Sequence, residues 1–162
     1  MNRRQFLYSS AALGSIGIPF SLSAKQRTNE DTWAKLLDND AYYILFDEGT
    51  ERAHSSPLLK EKRDGTYICA ACFQPLFSSA TKYESGTGWP SFFQPLKAAV
   101  ETKRDYGLWL PRTEYHCSNC GGHQGHVFDD GPRPTGKRYC NNGLALNFVA
   151  TGNDIPAIRE AK

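Results

Sequence analysis

Three shortages narrow what this sequence can do: it has one methionine, little excess charge and no long apolar run. Its 19 basic side chains are nearly balanced by 17 acidic ones and form no basic stripe, so no nucleic-acid partner is predicted. The apolar run over residues 11–22 is rich in Gly and Ser, and it is too short to span a bilayer core of about 30 Å comfortably. Met1 is the only methionine, which fits an enzyme that works among oxidants.

Residues 1–24 have the regional order of an export signal. Arg3 and Arg4 precede Phe6 and Leu7, the apolar run follows, and small residues end the segment. The arginine pair resembles a twin-arginine signal, although Asn2 stands where Ser or Thr is usual. A weak membrane anchor is the alternative. We expect a cleaved signal peptide over 1–24, a polar linker over 25–30 and a periplasmic protein.

The rest of the chain suits one domain, and its periodicity changes from helical to extended near Gly65. Trp33, Leu36 and Leu37 have the spacing of a short amphipathic helix, and residues 41–46 predict a second helix. Strand-like segments follow at 66–68, 75–77, 100–103, 108–110, 113–116 and 127–128, and at the alternating Leu144, Leu146 and Phe148. Residues 129–132 predict a turn. No βαβ rhythm is visible, so the sequence predicts a mainly β domain of antiparallel strands with short N-terminal helices, over residues 31–150, and a C-terminal tail over 151–162.

Four of the five cysteines form two C-x-x-C pairs, Cys69/Cys72 and Cys117/Cys120. Two such turns present four thiolates tetrahedrally to one structural zinc ion. A pair of disulfides is the alternative, but each would close a tight loop, whereas zinc joins distant segments and stabilises more.

A rival metal site uses only one of the pairs. Cys117, Cys120, His123 and His126 follow one another at i+3 spacing. They predict a compact site that would leave Cys69 and Cys72 as a redox pair. We favour the four-cysteine site, because the histidines lead toward the remaining cysteine.

Cys140 is that remaining cysteine, and an odd cysteine beside paired ones is a candidate reactive thiol. Arg138 lies two residues before it, and His123 and His126 precede it in the chain. A cation near a thiol favours the thiolate, which is the nucleophilic form. The alternative is a buried, inert cysteine that packs as a small hydrophobe.

Several motifs, in this order, resemble the methionine sulfoxide reductases of the B type, which are specific for the R-epimer of methionine sulfoxide. They are GTY at 65–67 with the first cysteine pair, GTGWPSF at 86–92, RTE at 112–114 with the second pair, HQGHVFDDGP at 123–132 and RYCNN at 138–142. The similarity runs from about residue 31 to 149. It implies a fold of two antiparallel sheets, the β-tent or Mss4-like fold, with zinc at the C-x-x-C pairs.

The resemblance also implies roles for single residues. Cys140 matches a catalytic cysteine that attacks the sulfoxide sulfur, activated by a lowered pKa, and becomes a sulfenic acid. The residues that match its catalytic partners are His123, His126 and Asn142. Protons are expected from the histidines, assisted by water held on the asparagine. The residues that match substrate contacts are Trp89, which faces the methyl group, Phe128 and Arg138. Gly143 departs from the usual serine, with little expected effect.

Thr87 is a second departure from the family pattern. Many members have a resolving cysteine at this position, where it attacks the sulfenic acid. Because Thr87 cannot do so and the other four cysteines are assigned to zinc, we predict a one-cysteine cycle. A small thiol or a thioredoxin-like partner would resolve Cys140. The expected substrates are oxidised proteins or free methionine sulfoxide, and the expected state is a monomer.

Two other functions compete with reduction of the sulfoxide. A non-catalytic zinc-binding β-tent module needs the C-x-x-C pairs, but it does not need Cys140, His126 or Trp89. The presence of all three argues against it. A thiol-disulfide oxidoreductase that uses a C-x-x-C pair lacks the expected βαβ context.

Overall fold

The computed structural model describes residues 32–107 and 111–160. The predicted signal peptide over 1–24, the linker over 25–30 and the strand candidate at 108–110 lie outside the described residues. In the part of the chain that is described, no helix has both the length and the apolar character needed to cross a membrane.

Two short helices come first, α1 over residues 32–36 and α2 over Asn39–Phe46. The second begins where it does because the Asp38 side chain accepts a hydrogen bond from Ala41 N at 2.7 Å and caps the first turn. It buries Ala41, Ile44 and Leu45 against the domain. The predicted helix over 41–46 is therefore confirmed, with two further residues at its start.

Within the described residues, nine strands form two antiparallel sheets. They are β1 (Gly65–Cys69), β2 (Pro75–Ser78), β3 (Lys82–Tyr83), β4 (Ser91–Phe92), β5 (Val100–Asp105), β6 (Arg112–Cys117), β7 (His123–Phe128), β8 (Arg138–Asn141) and β9 (Leu146–Ala150). The small sheet has the order β2-β1-β9, and the large sheet has the order β3-β4-β8-β7-β6-β5. The predicted mainly β fold of two antiparallel sheets is confirmed.

The chain between β8 and β9 differs from the prediction. Leu144 lies in a short 3-10 turn, Gly143–Ala145, and is exposed, so the expected alternation from Leu144 onward begins only at Leu146. The turn forms because the buried Glu51 carboxylate accepts hydrogen bonds from the Gly143 and Leu144 backbone N–H groups. A contact from a distant acidic residue thus overrides the local strand pattern.

An aromatic core joins the two sheets. Phe92 of the large sheet stacks on Phe77 of the small sheet, with ring centroids 4.2 Å apart, and meets Tyr67 edge-on at 4.9 Å. Tyr115 meets Phe77 edge-on at 6.1 Å, and all four rings are fully buried. Such aromatic pairs contribute about 0.5–1.5 kcal/mol each beyond their buried area. The core therefore fixes how the two sheets meet, and with it the meeting of the two C-x-x-C turns.

The C-terminal tail returns to the first C-x-x-C turn. Arg159 N donates to Cys72 O at 2.8 Å, and the Arg159 side chain donates to the Ala71 carbonyl. The same guanidinium lies over the Phe73 ring at 4.4 Å and the Trp33 ring at 5.6 Å. One arginine thus connects the tail, helix α1 and the turn that carries two of the cysteines.

Candidate active site

The four paired cysteines form one cluster. Their sulfur atoms all lie within 4.8 Å of one another. The Cys69–Cys120 and Cys72–Cys117 sulfur pairs are 3.7 and 3.5 Å apart. Zinc–sulfur bonds of about 2.3 Å in a tetrahedron place neighbouring sulfurs about 3.8 Å apart. The cluster therefore fits a tetrahedral metal ion such as structural zinc.

Crowding among these thiols affects their ionisation. The pKa of Cys72 is lowered because Cys117, Cys120 and Cys69 hydrogen-bond to it. The pKa of Cys69 is raised, chiefly by its hydrogen bond to Cys117. The Cys72 thiolate is thus stabilised by neighbouring thiols that stay protonated. A bound divalent cation would allow all four thiols to ionise together.

The rival Cys/Cys/His/His arrangement is not assembled. His123 Nδ1 lies 2.9 Å from Glu114 Oε1, and His126 Nε2 lies 2.7 Å from Asp105 Oδ2. Among the described residues, the potential metal cluster contains the four cysteines and neither histidine.

Cys140 lies in β8, in the interior of the large sheet. Its register partners are Ser91 on β4 and His126 on β7. A Cβ atom at Gly125 would lie 1.9 Å from the Cys140 carbonyl oxygen. Glycine at 125 therefore permits the close approach of β7 to β8 that sets His126 beside the thiol.

A cavity of about 130 Å³ opens beside Cys140. Its lining residues are Thr50, Trp89, Arg112, Gly125, His126, Phe128, Cys140, Asn141 and Asn142. Of the residues that the sequence analysis singled out, the structure brings Cys140, His126, Asn142, Trp89 and Phe128 to this cavity. His123 and Arg138 lie just outside it.

Glu51 organises one wall of the cavity, and sequence reasoning did not identify it. Its backbone carbonyl accepts a hydrogen bond from Trp89 Nε1 at 3.1 Å, and its N–H donates to Asn142 Oδ1 at 3.1 Å. Burial raises the pKa of its carboxyl group, while the hydrogen bonds from Gly143 and Leu144 oppose that rise. Glu51 therefore joins the indole wall to the turn that follows Cys140. No local spacing announces a lone buried carboxylate.

Gly143, expected to matter little, is matched to its surroundings. A Cβ atom at this position would lie 1.9 Å from Ser56 Oγ and 3.2 Å from Glu51 Oε1. A serine here would have to displace Ser56. The departure from the family pattern is thus tied to a neighbour that is distant in sequence.

Gln124 and Asn142 connect the cavity to the cysteine cluster. Asn142 Nδ2 donates to the Gln124 carbonyl at 3.2 Å, while Gln124 Nε2 lies 3.5 Å from Cys69 Sγ. Gln124 is fully buried on β7, between the two histidines. Both polar groups of the Asn142 amide have protein partners, Glu51 N and Gln124 O. With these two bonds, Asn142 links Glu51 to Gln124. That Asn142 also holds a water molecule stays a prediction.

His126 is oriented by Asp105 on β5. Arg112 donates to the same Asp105 oxygen at 2.6 Å, and Gly107 N donates to the other oxygen at 2.8 Å. The Gly107 N–H, His126 and Arg112 lower the pKa of the Asp105 carboxyl group. Burial lowers the pKa of His126, and the Asp105 hydrogen bond opposes this. With Asp105 ionised, His126 is a neutral imidazole that donates from Nε2.

His123 lies one layer behind His126, with ring centroids 5.5 Å apart. It is 3% exposed, and its Nε2 has no hydrogen-bond partner among the described residues. Burial opposes the ionisation of Glu114, but hydrogen bonds from His123 and Lys103 outweigh burial and lower the pKa of that carboxyl group. His123 lines a second cavity of about 280 Å³, which also reaches His126 and Arg112. It contacts the Cys140 cavity through His126.

Arg138 supports the cavity wall from behind. Its Nε and Nη2 atoms donate to the two Asp130 carboxylate oxygens at 2.8 Å each, and its guanidinium lies 4.3 Å from the centre of the Phe128 ring. Asp130 lies in the segment that the sequence predicted only as a turn. The paired acidic residue fixes Arg138, and Arg138 in turn fixes Phe128.

The expected lowering of the Cys140 pKa is wrong. Burial raises the pKa of this thiol. The charge of Arg138 and hydrogen bonds from Thr87 and Arg138 oppose the rise, and the negative charge of Asp130 adds to it. Because Arg138 is already paired with Asp130, its positive charge does not outweigh the loss of solvation.

Comparison with known proteins places these motifs in one family. The profile of the SelR domain matches residues 37–150. A peptide methionine sulfoxide reductase MsrB of Leptospira interrogans is 54% identical over 121 residues, which cover 74% of this chain and 92% of the relative. The MsrB of Methanosarcina barkeri is 52% identical over 121 residues, covering 74% and 85%. Among solved structures, the Mis18 'Yippee-like' domain aligns with a TM-score of 0.44 and 19% identity, covering 56% of this chain and all of that domain.

Proposed function

The chain belongs to the peptide methionine sulfoxide reductase B family, and from that premise we propose that it reduces the R-epimer of methionine sulfoxide, protein-bound or free, to methionine. The observation that carries the proposal is one cavity that contains the Cys140 thiol, the Trp89 ring and the His126 imidazole. These groups supply a nucleophile, an apolar wall for the methyl group and a base that takes the thiol proton and passes it to the sulfoxide oxygen. All three are required to attack a sulfoxide sulfur.

The proposed reaction transfers oxygen from the substrate to Cys140. The sulfoxide sulfur becomes electrophilic when its oxygen accepts a proton, and the Cys140 sulfur then attacks it. The substrate sulfur gains two electrons, the sulfur–oxygen bond of the substrate breaks, and Cys140 becomes a sulfenic acid. No external electron donor is needed for this half of the cycle.

The raised pKa of Cys140 fits this proton balance. In the free chain, burial keeps the thiol protonated at neutral pH. One thiol and one sulfoxide yield one sulfenic acid and one sulfide, with no net uptake of protons. His126 lies beside Cys140 and is held by Asp105. We assign it the transfer of the thiol proton to the sulfoxide oxygen.

The zinc site has a structural part in this proposal. The ion would be held by the four clustered cysteines, Cys69, Cys72, Cys117 and Cys120. Its bonds to their sulfur atoms would cross-link the end of β1 to the end of β6. The chemistry at Cys140 takes place in another cavity, and no step of it passes through the metal.

The test is an assay with each purified epimer of methionine sulfoxide and a dithiol reductant. Wild-type protein is expected to reduce the R-epimer, and Cys140→Ser is expected to reduce neither epimer while it retains its fold and zinc content. Appreciable turnover of the R-epimer by Cys140→Ser would exclude Cys140 as the nucleophile. If the wild-type protein holds zinc and reduces neither epimer, a non-catalytic zinc-binding module becomes the better assignment.

An external thiol completes the proposed cycle, because Thr87 stands where many relatives have a resolving cysteine. The thiol attacks the sulfenic acid, water leaves, and a second thiol breaks the mixed disulfide. After one equivalent of substrate without reductant, the protein is expected to gain the mass of one oxygen. A loss of two hydrogens would instead mean that one of the clustered cysteines resolves Cys140. Thr87→Cys is expected to introduce that internal disulfide, because residue 87 already faces the thiol.

Export by the twin-arginine route is a further part of the proposal, supported by Arg3, Arg4, Phe6 and Leu7. That route carries folded proteins, so zinc would bind before the thiols meet an oxidising compartment. Arg3→Lys combined with Arg4→Lys is expected to leave precursor in the cytoplasm. Normal periplasmic recovery of the double variant would remove the assignment.

A further inference from the structure

Three hydroxyl groups form a continuous chain next to Cys140. Ser85 Oγ lies 2.8 Å from Thr87 Oγ1 and 2.8 Å from Ser91 Oγ. Ser91 Oγ also lies 3.2 Å from the Trp89 carbonyl oxygen, to which it can only donate. The chain lies against Cys140 because Ser91 is the register partner of Cys140 on β4, and at the other end a hydrogen bond from Thr87 opposes the rise in the Cys140 pKa. The chain therefore runs from a backbone carbonyl to the reactive sulfur.

Ser85 gives this chain a direction. A hydroxyl group has one hydrogen and two lone pairs. One lone pair of Ser85 Oγ accepts the Thr87 backbone N–H at 3.4 Å. Between Thr87 and Ser91, Ser85 must therefore donate to one hydroxyl and accept from the other. It cannot accept from both.

Two ordered states of the chain follow. In the first, the Cys140 thiol donates to Thr87, Thr87 donates to Ser85, Ser85 donates to Ser91, and Ser91 donates to the Trp89 carbonyl. In the second, Ser91 donates to Ser85, Ser85 donates to Thr87, and the Thr87 hydrogen is free to bond a Cys140 thiolate. The first state suits the thiol and the second suits the anion, because only the second ends in a donor.

We propose that Ser85, Thr87 and Ser91 are positioning residues whose hydrogen-bond chain reverses direction when Cys140 ionises, so that Ser85 and Ser91 set the reactivity of the thiol through Thr87. The chain neutralises no charge. It supplies a donor only when an anion is present and accepts a hydrogen when the thiol is intact. The oxygen of the sulfenic acid formed in the proposed reaction would meet the same Thr87 donor. This inference rests on the proposed nucleophile, but its test needs no turnover.

Other groups also face Cys140, and the test must leave them unchanged. Charged neighbours are Arg138, on the same strand, and Asp130, in the loop before it. His126 flanks the thiol from β7. The charge of Cys140 adds to the rise in the pKa of two tyrosine hydroxyls, Tyr83 on β3 and Tyr115 on β6. None of these residues belongs to the hydroxyl chain, so substitutions within the chain alter hydrogen-bond direction without altering charge.

The experiment measures the rate at which iodoacetamide alkylates Cys140, located by peptide mass mapping, as a function of pH. Thr87→Val removes the donor and keeps the shape of the side chain, so alkylation at neutral pH is expected to slow about tenfold. Ser91→Ala removes the acceptor that Ser85 uses in the thiol state. Among the described residues, Thr87 is then the partner that remains for the Ser85 hydrogen, so the chain is held in the thiolate state. Alkylation is expected to accelerate about threefold.

Opposite signs are the signature of a reversible chain. Ser78→Ala, which removes a strand hydroxyl outside the chain, is expected to leave the rate unchanged, and thermal unfolding verifies that each variant is folded. Adding Ser85→Ala breaks the link, so Ser91→Ala is expected to have no effect in that background. Slower alkylation in both Thr87→Val and Ser91→Ala, or an unchanged rate in Ser91→Ala, would overturn the proposal. So would an acceleration in Ser91→Ala that persists without Ser85. If the protein does not reduce methionine sulfoxide, the alkylation rates still test this proposal, because alkylation needs no turnover.

Discussion

The four-cysteine cluster and the Cys140 cavity place the same chemical group in opposite surroundings. In the cluster, each sulfur faces other sulfurs within 4.8 Å, and Gln124 Nε2 approaches from outside. Cys140 shares a cavity with an indole and an imidazole. Both sites are largely buried, so burial does not distinguish them. A thiol with three thiol neighbours is arranged to bind a metal ion, whereas a lone thiol beside a cavity remains available for chemistry.

Removal of one thiol from each site gives the largest expected contrast. Structural zinc contributes about 10–16 kcal/mol of apparent binding free energy in small peptides, so Cys69→Ser is expected to lose the metal and much of the cooperative fold. Cys140→Ser is expected to keep both. Metal analysis and thermal unfolding of the two variants make the comparison. Full zinc content in Cys69→Ser would mean that the ion is held by other residues.

The pH dependence of alkylation sharpens the Cys140 side of the comparison. Burial raises the pKa of this thiol, so its thiolate fraction is small at neutral pH and grows about tenfold per pH unit below the pKa. The alkylation rate is therefore expected to rise with pH and to level off only above the ordinary thiol pKa of about 8.5. A rate that is already constant at pH 7 would contradict the raised pKa.

Neighbouring aspartates separate the effect of a paired charge from that of a surface charge. Asp130→Asn removes the partner of Arg138 and a negative charge that raises the pKa of Cys140. Alkylation at neutral pH is expected to accelerate several-fold. Asp129→Asn is the matched control, because Asp129 pairs with Lys137 at the exposed surface, where such pairs contribute about 0–1 kcal/mol. Equal effects of the two variants would show that general charge, and not the Arg138 pairing, controls the thiol.

The smallest expected effect lies at the edge of the cluster. Arg159→Ala removes the hydrogen bonds to the Ala70 and Ala71 carbonyls and the stacking on Phe73. We expect a loss of about 1–2 kcal/mol in the free energy of unfolding and faster transfer of zinc to a chelator. Arg104→Ala, at an exposed position on β5, is the control. Unchanged zinc transfer in Arg159→Ala would separate the tail from the metal site.

Spacing along the chain accounts for what could be predicted. Two C-x-x-C turns predict a four-thiol cluster, and alternating apolar and polar residues predict antiparallel strands. The order of the motifs predicts that Cys140, His126 and Trp89 belong to one site. In each case the informative residues lie close together or recur with a recognisable period.

Contacts between isolated residues account for what could not be predicted. Glu51 reaches the turn after Cys140 from far along the chain, and Asp105 orients His126 from a strand that reads as ordinary polar surface. Neither belongs to a motif with a characteristic spacing. The Cys140 pKa was predicted in the wrong direction because sequence proximity to Arg138 shows neither how deeply the thiol is buried nor that Asp130 already pairs the arginine. Burial and pairing are properties of the folded chain.

Gln124 has a mechanical consequence for the two sites. Its side chain contacts Cys69, on the small sheet, while its backbone, on the large sheet, holds Asn142 beside the cavity. Rotating one sheet against the other would strip the buried Gln124 amide of its Cys69 partner, at about 1–3 kcal/mol for a polar group left unsatisfied. Gln124 therefore couples the position of the cysteine cluster to that of the cavity wall.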